Sequence, residues 1–110
     1  MDLNQLFDLS LVGRRDEIAL EFRGQTYTFG DIDQRANRMA NVLASRGLAI
    51  GDRLSVYLAN RMEFLDLYLA CLRLGVIFNP INILYRDREI SHILSDAEPK
   101  AVVSETQLPF

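Results

Sequence analysis

Gly75 separates two kinds of chain with nothing between them. Before it, from Phe64 to Leu74, apolar side chains fall on nearly every face of a helical projection. After it, Val76-Ile77-Phe78 is a short apolar run that breaks at Asn79-Pro80. A helix that is apolar all round must be sandwiched between other elements. A glycine supplies the left-handed residue that stops such a helix, and a proline interrupts a strand ladder. The stretch Leu72–Asn82 therefore reads as a tight helix-to-strand junction inside a layered α/β unit.

The rest of the chain repeats that alternation. Ile18, Leu20 and Phe22 alternate with Ala19, Glu21 and Arg23, the period of a half-buried strand. Gly24 permits a turn and Gln25–Thr28 reads as the returning strand of a hairpin. Thr28 with Asp31 three residues on is a variant of the capping box. The helix that follows places Ile32, Ala36, Met39 and Leu43 on one stripe, with Arg35, Arg38, Asn41 and Arg46 off it, and Gly47 ends it. Gly51-Asp52 turns into a strand over Arg53–Leu58. Asn60 is the expected cap of the next helix, with Glu63 three residues later. A third helix lies within Ile83–Asp96, with Ile90, Ile93, Leu94 and Ala97 inward, and Pro99 closes it. Lys100–Val103 is a last short strand. The order is hairpin, helix, strand, helix, strand, helix, strand, which argues for a mainly parallel α/β sheet with right-handed crossovers. Leu3, Leu6 and Phe7 share a face, so residues 1–15 are expected to form an N-terminal helix or arm. Residues 104–110 read as the start of a further segment.

Composition excludes several functions. The chain has 110 residues, 25% of them charged, and a net charge of −3. Its eleven arginines are scattered and Lys100 is its one lysine, so there is no basic patch for nucleic acid or an anionic membrane. No apolar run approaches the roughly 20 residues that span a bilayer, and Met1-Asp2-Leu3-Asn4 lacks the basic start of a signal peptide. The single cysteine, Cys71, sits among apolar neighbours and reads as a buried thiol in a reducing compartment. The expected location is cytoplasmic.

A search for chemistry assigns no catalytic, cofactor-binding or metal-binding residue. The glycines are isolated and begin neither a GxGxxG nor a Walker pattern. One histidine and one cysteine cannot build the usual metal sites. His92 lies beside the apolar stripe of its helix and reads as a solvent-facing or flank-packing residue. Asp31, Asp33, Glu63, Asp66, Asp87 and Glu89 sit at helix starts, where solvated carboxylates favour the helix dipole. An acid–base pair among them lacks a defined partner. Ser55 and Ser95 have no nucleophile-elbow context. Tyr57 ends a strand, as a core side chain or as one lining the carboxyl edge of the sheet, where open α/β folds bind ligands.

Four stretches, taken in order, resemble the N-terminal segment of the adenylate-forming superfamily of acyl- and aryl-CoA synthetases, luciferases and peptide-synthetase adenylation domains. They are Thr26–Ile32 leading into Ala36-Asn37 and Leu43, Gly47–Leu54 with Val56, Leu72–Asn82, and Leu94–Val103. The resemblance covers residues 5–103. Asp31 stands one place early for the family's pattern, Arg73-Leu74 replaces a frequent Lys-Ala, and Arg86 replaces a Ser or Thr cap, which implies a looser helix start. Asn82 resembles the acid–CoA ligases, since peptide-synthetase domains typically carry Asp there.

The resemblance implies that the chain is a partial N-terminal subdomain of a large AMP-binding domain, with residues 104–110 the truncated start of the next segment. It implies a parent that converts a carboxylic acid to an acyl-adenylate with ATP and Mg²⁺ and then to an acyl-CoA, as in fatty acid metabolism. The phosphate loop, ribose and adenine motifs and catalytic lysine lie later in the family, so no cofactor is held by this segment. Its expected role is scaffolding and its expected partner the remainder of the parent. The other readings are a fragment of another adenylate-forming enzyme (a peptide-synthetase adenylation domain or a luciferase-like protein), a self-associating or partner-pairing α/β interaction module with an exposed sheet edge, and a small nucleotide-binding domain, which the absence of a phosphate motif disfavours.

Overall fold

A computed structural model describes residues 12–59 and 61–105. The expected N-terminal helix or arm lies outside the described residues up to Leu11, and Val12–Asp16 form turns. Asn60 and residues 106–110 also lie outside them.

The hairpin forms as expected, with Leu20 and Phe22 half-buried, but the register shifts between Ile18 and Leu20 and leaves Ile18 exposed. Strand β1 (Ile18–Phe22) pairs antiparallel with β2 (Gln25–Thr28). Phe22 faces Gln25 across a two-residue loop in which both Arg23 (φ 52°) and Gly24 (φ 80°) are left-handed. That is the turn geometry whose twist matches the strands.

Helix α1 (Phe29–Ser45) begins at a full capping box: Asp31 N–H donates to Thr28 Oγ1, and Thr28 N–H donates to the Asp31 carboxylate, both at 3.0 Å. It ends at Gly47 (φ 88°), where Gly47 and Leu48 N–H donate to the carbonyls of Ala44 and Leu43. The buried stripe is Ile32, Ala36, Ala40 and Leu43. Met39, expected on it, is half-buried at its flank, and Ala40 takes the i+4 position that lets α1 approach its neighbour.

Strand β3 (Arg53–Tyr57) is one residue shorter than expected, with Leu58 buried just past its end. Helix α2 (Met62–Leu74) starts after Arg61, which makes no side-chain cap. The expected start at Asn60 is therefore displaced by one residue. Gly75 ends α2 at φ 73°, and a Cβ there would meet the Ile50 side chain at 2.6 Å. Strand β4 (Ile77–Pro80) runs through Pro80, which pairs with Val56. The proline ends the strand as expected, and it can be the last paired residue because β4 is an edge among the described strands, where a missing N–H on the outer side costs no ladder bond.

Helix α3 (Asp87–Ala97) has Ile90 buried and Ile93, Leu94 and Ala97 half-buried, as the stripe requires. Glu98 (φ 47°) and Pro99 end it, and β5 (Ala101–Ser104) closes the described chain.

The three later strands form a parallel sheet in the order β4-β3-β5. From β3 the chain steps to one side through α2, then crosses over β3 to the other side through α3. Right-handed crossovers in opposite directions place the two helices on opposite faces. Side-chain alternation agrees: Leu54 and Val56 enter the core with Leu43, Leu67, Ala70 and Cys71, whereas Arg53 and Tyr57 reach the α3 side.

Candidate functional site

The strand order makes β3 a branch point. Its neighbours on the two sides are reached by crossovers of opposite direction, which opens a crevice beyond the carboxyl ends of the strands, the usual ligand position in open α/β sheets. Here that edge is occupied by the protein's own groups. The Tyr57 hydroxyl lies 2.9 Å from Tyr85 O and 3.1 Å from Ile83 O and donates to that pair of carbonyls. Tyr57 thus stands at the carboxyl edge rather than wholly in the core, and its hydroxyl serves the loop between β4 and α3. On the other side of β3, the Glu105 carboxylate accepts from Ala59 N–H at 3.0 Å and lies 3.8 Å from the Arg61 guanidinium.

The loop after β4 is fixed from several directions. Asn82 Oδ1 accepts from Leu84 N–H at 2.9 Å, and Asn82 O accepts from Tyr85 N–H at 3.0 Å. The Arg86 guanidinium donates to the carbonyls of Ile83, Leu84 and Tyr85 at 3.2–3.3 Å. Arg86 has no acceptor for the first-turn amides, so only half of a capping box exists: its N–H donates to the Glu89 carboxylate at 3.3 Å. The looser start expected of Arg86 is offset by these carbonyl bonds. Ile83, Leu84 and Tyr85 remain exposed around this fixed backbone.

The carboxylates separate into two kinds. Asp31 is a solvated cap, held below the usual carboxylate range by the Thr28 N–H and hydroxyl. Asp66, expected to be the same, is 5% exposed and sits in the second turn of α2. It accepts from Arg35 Nε and Nη2 at 3.0 and 2.8 Å, a two-pronged bridge between α2 and α1. The bond to Asp66 raises the Arg35 pKa, and the guanidinium also lies 5.5 Å from the Tyr27 ring centre. Asp33 is bound by Arg73 at 2.7 Å and Arg15 at 2.9 Å. Partial burial pushes its carboxyl up, but the hydrogen bonds and charges of Arg73 and Arg15 together outweigh that and hold it low. Arg73 also bonds Asn37. These groups join α1, α2 and the segment before β1, and every oxygen acts as a structural acceptor. Asp66 carries its own sequence signal, an acid in a sandwiched apolar helix, because a buried charge requires a partner.

Ser55 is fully buried and its hydroxyl accepts from Asn79 Nδ2 at 3.2 Å, a bond between adjacent strands. Cys71 is buried at the centre of the core, and burial pushes its thiol up to about 11, which makes it inert at neutral pH. His92 is exposed and 3.4 Å from Asp96, a surface pair along α3. Among the described residues no group of three His, Cys, Asp or Glu side chains could hold a metal ion, and no helix is long and apolar enough to cross a membrane.

The site thus defined is the carboxyl edge of a parallel α/β layer whose polar groups brace loops and helices. A sequence model of the AMP-binding enzymes matches residues 7–109, and the chain belongs to that family. It is 31% identical to surfactin synthase subunit 2 of Bacillus subtilis over 94% of its length, and spans 3% of that protein. It is 32% identical to the medium-chain fatty-acid–CoA ligase of Escherichia coli over 83% of its length, and spans 16% of that protein. The N-terminal subdomain of NpsA from Klebsiella oxytoca, solved in complex with 3-hydroxybenzoyl-AMSN, matches 98% of this chain with a TM-score of 0.91. That likeness is one of fold, at 24% identity and over 28% of the NpsA chain. The layer described above is therefore that of the N-terminal subdomains of adenylate-forming enzymes.

Proposed function

We propose that this chain is the N-terminal scaffold of an AMP-forming carboxylic acid–CoA ligase, inactive by itself. In the parent, ATP with Mg²⁺ activates a carboxylic acid to an acyl-adenylate, and CoA then takes the acyl group. The chain supplies sheet, helices and a braced carboxyl edge. Catalytic, nucleotide-binding and metal-binding residues come from the remainder of the parent, which is its partner, in the cytoplasm.

The supporting observation is the match across residues 7–109 in a chain spanning 16% of a CoA ligase. The bonding of Asp33, Asp66, Ser55 and Tyr57 into structural contacts is consistent with scaffolding. Acid-dependent exchange of pyrophosphate into ATP, measured on the pure 110-residue chain, is expected to stay at background. Robust exchange would refute the scaffold reading.

A peptide-synthetase adenylation domain is the second reading, supported by the 31% identity to a surfactin synthase subunit over 94% of the chain. Asn82 favours the ligase by its wording. Its side-chain carbonyl accepts one backbone N–H, a bond that an aspartate would make equally well. Supplying the parent-length protein with CoA or with a carrier-protein thiol as acceptor separates the two. Transfer to the carrier alone would reject the ligase.

A further inference from the structure

Three arginines that are scattered in sequence meet in space. Arg23 of the hairpin turn, Arg35 of α1 and Arg61 at the start of α2 line one polar cavity of about 380 Å³. Gln25 and Tyr27 of β2 line it too, and Glu63 brings a carboxylate. Two of these arginines are poor choices for their own elements. Arg23 is left-handed (φ 52°) at a turn position that favours Asn, Asp or Gly. Arg61 stands at the cap of α2 and makes no side-chain cap bond, where Ser, Thr, Asp or Asn would. Conflicts between local propensity and structure concentrate at functional sites, and here both fall on the same cavity. The guanidiniums are also held in place. Arg23 lies over the Phe22 ring at 5.0 Å, and Arg35 is fixed by its bridge to Asp66 and by the Tyr27 ring. Arg61 Nε is 3.8 Å from Glu105, beyond hydrogen-bond length, and that carboxylate accepts from Ala59 N–H. Donors already in place lose little freedom when a ligand arrives.

We propose that this cavity binds a small phosphate-type dianion between the guanidiniums of Arg23, Arg35 and Arg61. Among the described residues its lining carries an excess of positive charge: three guanidiniums against Glu63, with Asp66 offsetting part of the Arg35 charge from outside the lining. A planar guanidinium presents paired donors to phosphate oxygens, and the Gln25 amide adds neutral donors beside them. Glu63 opposes the ligand and sets an upper bound on its affinity. The cavity is built wholly from residues 22–63, so the proposal goes beyond the scaffold reading and does not depend on it.

Inorganic phosphate titrated into the isotope-labelled chain at constant ionic strength is expected to give saturable one-to-one amide shifts, largest at Gln25, Met62 and Glu63. Arg23→Gln and Arg61→Gln should each weaken binding about tenfold. Both residues are exposed, so far-ultraviolet circular dichroism should be unaltered. Arg61→Lys keeps the charge but not the planar fork and should recover only part of the loss. Glu63→Gln should tighten binding. Arg88→Gln removes the same charge from an exposed position on α3 and should leave binding unchanged. Acetate should bind more weakly than phosphate. Phenyl phosphate separates the sources: comparable binding admits the phosphate end of a monoester, its failure restricts the site to the free ion, and both support the site. Shifts that do not saturate overturn the proposal. So do unchanged affinity in Arg23→Gln or Arg61→Gln, an equal loss with Arg88→Gln, and acetate bound as tightly as phosphate.

Discussion

The two faces of the parallel sheet are held by different forces. On the face covered by α1 and α2, Leu54, Val56, Leu67, Ala70, Cys71 and Val76 form a continuous core, bordered by the Arg35–Asp66 bridge. On the α3 face, Ile90 is the one buried residue of the helix. Ile93, Leu94 and Ala97 are only half-buried there, and the other contacts are polar: Ser55 with Asn79, Arg53 Nη1 on Ala97 O at 2.7 Å, and Tyr57 on the loop after β4. Apolar area gives most of the folding free energy, and hydrogen bonds give modest net gains with geometric precision. One face supplies stability; the other fixes where the loops stand.

The largest expected effect probes that contrast directly. Leu54→Ala should destabilise the chain by about 3–4 kcal/mol, because a fully buried side chain leaves a cavity. Ile90→Ala should cost less, about 2 kcal/mol, since thinner surroundings can collapse into the space. Urea titrations of both variants measure the difference, and equal losses would erase the distinction between the faces.

Next in size is Asp66→Asn, which leaves Arg35 half-buried without its carboxylate. The expected loss is about 2 kcal/mol, below that of a wholly buried pair because Arg35 retains access to water. Tyr57→Phe should cost about 1 kcal/mol. Its signature is local: amide exchange should quicken at Leu84 and Tyr85 and remain slow in α2. A global acceleration would show that the polar face also carries the fold.

The smallest effect is a pH dependence. Asp33 has a lowered folded pKa, so its contribution is complete above its unfolded pKa, near 4, and is lost as pH falls through the lower folded value. Asp33→Asn should therefore flatten the acid limb of stability below about pH 4. An unchanged acid limb would show that Arg15 and Arg73 do not favour the ionised form.

The elements were legible because each carries a local signal: period two in β1, the Thr28–Asp31 box, Gly47 and Gly75 at helix ends. Pro80 ends β4 as expected, and the strand takes in Asn79 and Pro80 because a missing N–H on the outer side of an edge in the order β4-β3-β5 costs no ladder bond. Asp66 was read by its proximity to a helix start, whereas its partner lies 31 residues away in sequence. Tyr57 was expected chiefly as a core side chain, with the carboxyl edge as the alternative; its hydroxyl stands at that edge, on the loop after β4, a contact that required the sheet. The paired carboxylates and braced loop were hidden for one reason: they are contacts between elements, and periodicity speaks only within one.

Gly75 has a further consequence for how this sequence can change. Its backbone is left-handed, and the side chain of Ile50 fills the space a Cβ would need. These two restrictions are separable. Trimming Ile50 relieves the collision and leaves the dihedral penalty of about 1 kcal/mol. A double-mutant cycle between Gly75→Ala and Ile50→Ala should therefore show partial rescue. Drift at residue 50 can widen what residue 75 tolerates, yet it cannot make any β-carbon neutral there.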